Sequence, residues 1–369
     1  MSLLSARQSR NLARLIPFAL IWLFTGWVFL LVEAAPTGNQ NLNPDEAITL
    51  TLPVFIFASI AVAVVGLIIG AVELFLFEKR FTQYSLVAKI VYKLLIYLIL
   101  LLVIILISYP IAASLELEVP ITDPSVWNKL RQYHVSIIFA STMVQLAFSL
   151  LLSLLYAAIS ENLGHNVLIH IFTGRYHQPI VENRIFMFID MKSSTTIAEA
   201  LGHLKYFELL KEYYTSMSDA IVDHRGEVYQ YIGDEVVISW KSETGISNTN
   251  CLRCFFDIKR HMETRRKVFE ERFGVFPQFK AGVHIGEVTT GEVAALKKEI
   301  VFTGDVLNTT ARVQGLCNKF NAELIITGEL KDCLGNLTGL QLEPLGTIEL
   351  AGKSESKTLF SVNSTAETY

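Results

Sequence analysis

Three groups of residues in this 369-residue sequence have the types and spacings that chemistry requires. The first is Arg184 to Asp190 (Arg-Ile-Phe-Met-Phe-Ile-Asp), an apolar and aromatic run ending on one carboxylate and passing at once into Met191, Lys192, Ser193, Ser194 and Thr195. The run reads as a buried strand, and the hydroxyl residues read as the cap of a helix whose first amides point at an anion. That arrangement holds a metal ion beside a phosphate. In the second group, Asp234 follows Gly233 between two β-rich runs, Glu227 to Ile232 and Glu235 to Trp240, the pattern of a tight hairpin. Two acidic turns on adjacent strands suit a pair of divalent cations, Mg2+ or Mn2+, around a nucleoside triphosphate. The third group is Asn308 and Arg312, four positions apart in a helical segment that starts near Gly304-Asp305, so both lie on one face. An amide and a guanidinium projecting together can hold a ribose and a developing phosphoryl charge, although alone they would read as an exposed polar face.

The elements that must position these groups follow from periodicity. Ile197 to Ala220 carries apolar residues at helical spacing (Leu201, Leu204, Phe207, Leu210, Tyr214, Met217), which predicts one core-facing stripe. Asn248 to Phe273 reads as a second amphipathic helix. Phe279 to Ile285 and Glu287 to Ala294 read as strands, with Gly282, Gly286 and Gly291 permitting close backbone approach. Glu323 to Ile326, Leu340 to Leu350 and Ser356 to Val362 supply later strands. The order strand, helix, two strands, helix, strand is the split βαβ pattern of an α+β, ferredoxin-like sheet. Cys251 and Cys254 form a CxxC inside the second helix, with no second pair at ligand spacing among the four cysteines, and read as reduced thiols.

Composition divides the chain. Mean hydropathy is +0.41, too high for a wholly soluble protein, and the apolar excess is confined to residues 1–160. Four stretches there are long enough to cross a bilayer, which takes roughly 20 residues each: Leu15 to Ala35, Leu50 to Phe77, Ile90 to Leu115 and Val135 to Ile159. The first is too long for the apolar core of a cleavable leader and reads as a span. Arg7, Arg10 and Arg14 before the first span, and Lys79, Arg80, Lys89 and Lys93 between the second and third, contrast with Asp45 and Glu46 between the first and second. The positive-inside tendency then predicts a multi-pass protein of the cell membrane, in contact with lipid, with both termini cytoplasmic. Glu73 is the one carboxylate within the apolar length of the second span, and its place one turn from that span's end predicts snorkelling to the interface. Gly66 and Gly70 are spaced for close helix packing. Residues 161–183 read as a short polar linker containing His165, His170 and His177, and residues 184–369 as the soluble domain. A formal net charge of -4 gives no footprint for a nucleic-acid partner.

Taken together, Phe188-Ile189-Asp190 running into Ser194-Thr195, Ile232-Gly233-Asp234-Glu235, Gly282-Val283-His284-Ile285-Gly286, and Gly304-Asp305-Val306-Leu307-Asn308 followed by Ala311-Arg312 resemble the class III nucleotidyl cyclase catalytic domain. The resemblance covers about Arg184 to Val362. It implies attack of a ribose 3′ hydroxyl on the α-phosphate, giving a 3′,5′-cyclic nucleotide and pyrophosphate. It implies that Asp190 and Asp234 ligate two metal ions and that Lys192, Ser193, Ser194 and Thr195 cradle phosphates. It further implies that Asn308 orients the ribose, that Arg312 stabilises the transition state, and that Lys353 contacts the triphosphate. The site of this family lies between two catalytic domains, so the resemblance implies a homodimer. Two features depart from the family pattern. Ser193 stands where Gly is common, a change tolerated if its backbone angles are ordinary. Gln230 and Val301 occupy the base-reading positions, and because Gln both donates and accepts, ATP leads over GTP only by family frequency.

Overall fold

The computed structural model describes residues 6–37, 48–77, 84–163, 168–170, 173–293, 299–335, 337–350 and 356–365. It divides into two compact units, Gln8–Phe172 and Thr173–Tyr369 with the first seven residues.

The first unit is helical: α1 (Ala6–Thr37), α2 (Leu52–Ala71) continuing into a π-helical turn (Val72–Phe77), α3 (Leu86–Leu117), α4 (Pro124–His134) and α5 (Ile137–Leu163). Among the described residues four helical stretches are long and apolar enough to cross a membrane, namely Arg10–Glu33, Leu52–Phe77, Leu86–Leu117 and Ile137–Asn162. α1 packs on α2 where the two small residues sit: a Cβ on Gly66 would meet the Phe18 carbonyl oxygen at 2.8 Å, and one on Gly70 would meet the Phe18 ring at 2.9 Å. Glu73 departs from expectation. It lies on the π-helical turn at 5% exposure, ion-paired with Lys93 and accepting a 3.0 Å hydrogen bond from Tyr97 Oη. Lys93 is therefore not a loop charge; it is a buried residue of α3. The pairing is the reason: in an apolar bundle each charge is held by the other more readily than either reaches the interface. A second buried pair joins Glu116 of α3 to Lys129 of α4, at 2.5 Å.

The second unit is one mixed sheet flanked by helices. In chain order it contains β1 (Ile180–Met191), α6 (Ser194–Asp223), β2 (Glu227–Ile232), β3 (Glu235–Lys241), α7 (Ser242–Ile246), α8 (Asn250–Thr264), α9 (Arg266–Phe273), β4 (Phe279–Val293), β5 (Glu299–Thr303), α10 (Asp305–Gly315), β6 (Leu324–Thr327), α11 (Gly328–Cys333), β7 (Leu340–Glu349) and β8 (Ser356–Ser364). The sheet order is β2-β3-β1-β4-β6-β8-β7, with β5 paired to one end of β4. β1 is central, antiparallel to both β3 and β4, and buried on both faces, which explains its unbroken apolar run. Alternate residues build two cores. Ile185, Met187 and Ile189 join Leu209, Tyr213, Met217, Phe255 and Ile258 on one face, while Phe186 and Phe188 join Val306 of α10 on the other.

Three local expectations change. The two strands read before and after Gly286 are one 15-residue strand, β4, because Gly286 keeps its ladder pairing with Arg184. The second amphipathic helix is two, α8 and α9, broken at Arg265. The stripe on α6 holds at Leu201, Leu210, Tyr214 and Met217, which pack on the core, but Gly202 leaves the helix (φ 72°, ψ 166°), and the fully buried face is Leu209, Tyr213, Met217 and Ala220. Leu204 and Phe207 are then 86% and 63% exposed. Cys251 and Cys254 are wholly buried in the core, where burial pushes the Cys251 thiol up to about 12 and holds it protonated.

Candidate active site

β1 delivers Asp190 to the end of the sheet, where its backbone pairs with Lys280 of β4. Even-numbered residues of β1 face α10, and Asp190 Oδ2 accepts a 3.0 Å hydrogen bond from Gln314 Nε2 at the end of that helix. Lys280 Nζ, only 9% exposed as a residue, lies 3.4 Å from the same oxygen. Asp234 sits in the β2–β3 hairpin after Gly233, whose φ of 63° is the left-handed turn conformation that glycine supplies without strain. Tyr214 of α6 donates to the Gly233 carbonyl and so fixes the turn.

The two carboxylates are neighbours. Burial pushes the Asp234 carboxyl up, the adjacent Asp190 adds to the rise, and Ser194 opposes it through a hydrogen bond. Glu235 is pushed up to about 7 by burial and by both aspartates. Asp234 Oδ2 is buried with no hydrogen-bond partner among the described residues. Crowded, desolvated carboxylates with an unsatisfied oxygen describe a site that a cation completes, so the residues present fit divalent metal. Among the described residues no group of three or more His, Cys, Asp or Glu side chains is placed to hold a metal, so phosphate or water oxygens would have to fill the remaining ligand positions.

The amides that open α6 lie beside Asp190, since Ser194 is the first helical residue and the first amides of any helix have no intrahelical acceptor. Ser193 makes no side-chain cap and has φ 58°, ψ 30°. It occupies a left-handed conformation, not the ordinary angles expected, which accounts for glycine being the common residue there. Lys192 is turned elsewhere: its ammonium is 4.0 Å from Glu323, a carboxylate that Lys259 also holds at 2.6 Å. Thr195 is exposed and Ser194 half-buried. Lys353 lies outside the described residues.

α10 lies on the sheet so closely that Gly282 of β4 touches the Gln314 backbone. Val306, Thr309, Thr310, Val313 and Gln314 face inward, whereas Asn308 is exposed and Arg312 half-buried. Arg312 and Gln314 are two positions apart, about 200° around the helix, so the face that meets Asp190 is not the face that carries Asn308 and Arg312. Arg312 Nη1 is buried without a hydrogen-bond partner among the described residues. Gln230 is exposed on β2, and Val301 is half-buried on β5. Their strands are linked by Tyr229, whose ring packs 4.7 Å from that of Phe302 and whose hydroxyl accepts from the Phe302 amide at 3.3 Å.

Residues 176–363 match the family described as the adenylate and guanylate cyclase catalytic domain. The chain belongs to that family. This cyclase domain is 33% identical over 204 residues to adenylate cyclase 2 of Rhizobium meliloti, covering 55% of this chain and 56% of the relative. It is 25% identical over 182 residues to adenylate cyclase 1 of the same organism, covering 48% of this chain and 27% of that one. The chain thus spans about half, or less, of the length of these curated relatives. A solved bacterial light-regulated adenylyl cyclase has a TM-score of 0.52 at 22% identity, covering 63% of this chain and 67% of that chain, and shows the same fold.

Two cyclase-domain residues beside the carboxylates, Lys280 and Gln314, lie outside every motif, and Tyr214 reads in the sequence only as a core residue of a helix. Lys280 and Gln314 are detectable only through the register of β4 and the seating of α10, neither of which is a sequence pattern. The hub that aligns the strands is Arg184, 1% exposed, paired with Glu182 at 3.0 Å and Glu227 at 2.5 Å, with its guanidinium 4.6 Å from the Phe302 ring centre.

Proposed function

We propose that the protein is a membrane-bound adenylate cyclase that converts ATP to 3′,5′-cyclic AMP and pyrophosphate at sites shared between two copies of the chain. The observation that carries this reading is the division of the site residues. Asp190 and Asp234 gather at one end of the sheet, while Asn308 and Arg312 leave α10 on a face turned from Asp190, with a buried guanidinium nitrogen still unsatisfied. A second copy, facing head to tail, would bring the Arg312 of one chain to the carboxylates of the other and generate two equivalent sites. Exposed apolar residues on the Asp234 hairpin and on α6 support a protein partner: Tyr231 and Ile232 on the one and Leu204 and Phe207 on the other are each at least 53% exposed.

Within such a site Asp190 and Asp234 would hold two divalent cations, which lower the pKa of the ribose 3′ hydroxyl and neutralise triphosphate charge. The opening amides of α6, with Ser194 and Thr195, would hold the β- and γ-phosphates. Asn308 would orient the ribose for in-line attack on the α-phosphorus. Arg312 would take up the charge that grows on the α-phosphoryl oxygens as the bond to pyrophosphate breaks. Gln230 and Val301 would face the purine. The family description spans both adenylate and guanylate cyclases and Gln230 suits either ring, so GTP is the competing substrate. Arg7, Arg10 and Arg14 support a cytoplasmic N-terminus and hence, with four spans, a cytoplasmic catalytic domain.

Product analysis of the purified full-length protein with ATP and GTP separately, in Mg2+ and in Mn2+, tests the proposal. Cyclic AMP is the expected product, formed faster than cyclic GMP. A stable, dimeric preparation that yields neither cyclic nucleotide overturns the enzymatic reading.

A further inference from the structure

The helical unit contains a partly open cavity of about 250 Å3, on the side of the bundle toward α4, lined by residues of α1, α2, α3, α4 and α5. Its wall is mainly apolar and rich in rings, including Trp22, Trp27, Phe57, Tyr109 and Tyr133. Tyr109 and Tyr133 stack on each other with ring centres 4.2 Å apart.

Two polar side chains reach this wall from different helices, Ser108 of α3 and Gln145 of α5. Among the described residues neither side chain has a hydrogen-bond partner. Their neighbours at the wall do: Trp22 Nε1 donates to Ser153 at 2.9 Å, Trp27 Nε1 to Ser59 at 3.1 Å, and Thr142 Oγ1 to the Ile138 carbonyl at 2.9 Å. In a helix that crosses a bilayer, a primary amide without a partner is costly, because hydrocarbon offers it nothing. A ligand carrying a hydrogen-bonding group removes that cost.

We propose that this cavity binds a small neutral ring compound of the membrane-quinone class, with Ser108 and Gln145 donating to its carbonyl oxygen and the aromatic wall packing on its ring. Size fits: an apolar cavity of about 150 Å3 already takes a benzene ring, so this one takes a substituted ring. Charge excludes the ionic alternatives. Among the described residues no lining residue is charged, and the two buried ion pairs described above, Glu73 with Lys93 and Glu116 with Lys129, are each satisfied by their own partner. A fatty-acid carboxylate or a cation would enter without a counter-charge. A plain acyl chain would fill the space and leave both donors unmet. The aromatic walls favour a flat face, to which offset or edge contacts can be made.

The test uses the full-length protein in lipid nanodiscs and decylubiquinone as the probe, read by tryptophan fluorescence, since Trp22 and Trp27 line the cavity and quinones quench indoles on contact. The expected result is a saturable quenching component in the wild type. Gln145→Leu weakens it roughly fivefold, the loss of about one net hydrogen bond. Adding Ser108→Ala weakens it further, and Ala112→Phe, which fills the space, abolishes it. Decanol and decane, which supply a similar tail without the carbonyl, do not displace the quinone. Identical quenching curves in wild type and all variants, or loss of the saturable quenching when decane is added, would show a groove for bilayer chains and overturn the proposal. The readout is binding, so its failure leaves the cyclase reading standing.

Discussion

Replacing Gly282 with alanine tests whether the seating of α10 sets the geometry of the site. A Cβ at Gly282 would lie 2.4 Å from the Gln314 backbone nitrogen and 2.7 Å from its Cα, where ordinary contact begins at 3.4 Å. The atoms met are backbone, so no rotamer change relieves the clash, and α10 must lift by at least about 1 Å near its C-terminal end. That end carries Gln314, which holds Asp190, and Arg312, two residues before it. Overpacking of this kind costs about 1–3 kcal/mol of stability, whereas a misplacement of about 1 Å in a catalytic constellation costs about a hundredfold in rate. Gly286→Ala is the control, because its Cβ would meet side chains only, Val306 at 3.2 Å, which has to give by a few tenths of an ångström, and His284 at an ordinary 3.8 Å. Cyclic AMP formation and thermal unfolding, measured on both variants, separate the effects. Gly282→Ala is expected to remain folded with a modestly lower Tm and to lose about two orders of magnitude in kcat. Activity within a few-fold of Gly286→Ala would refute the idea that α10 transmits position from β4 to Arg312.

Three further outcomes follow from particular contacts. Ser193 holds a left-handed conformation that costs a non-glycine residue about 1–2 kcal/mol, so Ser193→Gly should retain activity and stability while the β-branched Ser193→Val loses both; equal behaviour of the two would place the strain elsewhere. At Glu182, burial raises the carboxyl, but hydrogen bonds from Thr290 at 2.7 Å and Arg184 at 3.0 Å outweigh it and leave the group below its usual value of 4.5. A carboxyl depressed in the folded state stabilises above its unfolded pKa and loses that contribution as pH falls through its folded pKa. Glu182→Gln should therefore lower Tm at neutral pH and flatten its decline below about pH 4.5, and an unchanged acid limb would count against the network. In the helical unit, Glu73→Ala strands Lys93 and should cost about 3–5 kcal/mol in detergent unfolding, while Glu73→Leu with Lys93→Leu should be near neutral; a double variant as unstable as the single one would contradict a paired role.

The carboxylate turns, the amide-rich helix start and the Asn308–Arg312 face were legible because each is local, and local chemistry leaves a spacing in the chain. So were the four apolar spans, since their signal is a sum over some 20 residues. What stayed hidden depends on contacts distant in sequence. Glu73 and Lys93 are 20 positions apart, and their pairing across two helices has no spacing rule, so an acid near a span's end read as an interface residue. Two of the six residues of the α6 stripe depart from expectation for a different reason. One residue, Gly202, leaves the helix, and Leu204 and Phe207 just after it emerge on the surface, while Leu210, Tyr214 and Met217 return to the core. Lys280 meets Asp190 through strand register alone.

The central claim, that each site is built from two chains, is tested most directly by complementation. Asp190→Ala and Arg312→Ala are each expected to be inactive as homodimers. Co-expressed, half of the dimers are mixed and each mixed dimer has one intact site of two, so activity should return to about one quarter of the wild-type level. Two stable, co-purifying variants that remain inactive together would contradict a shared site.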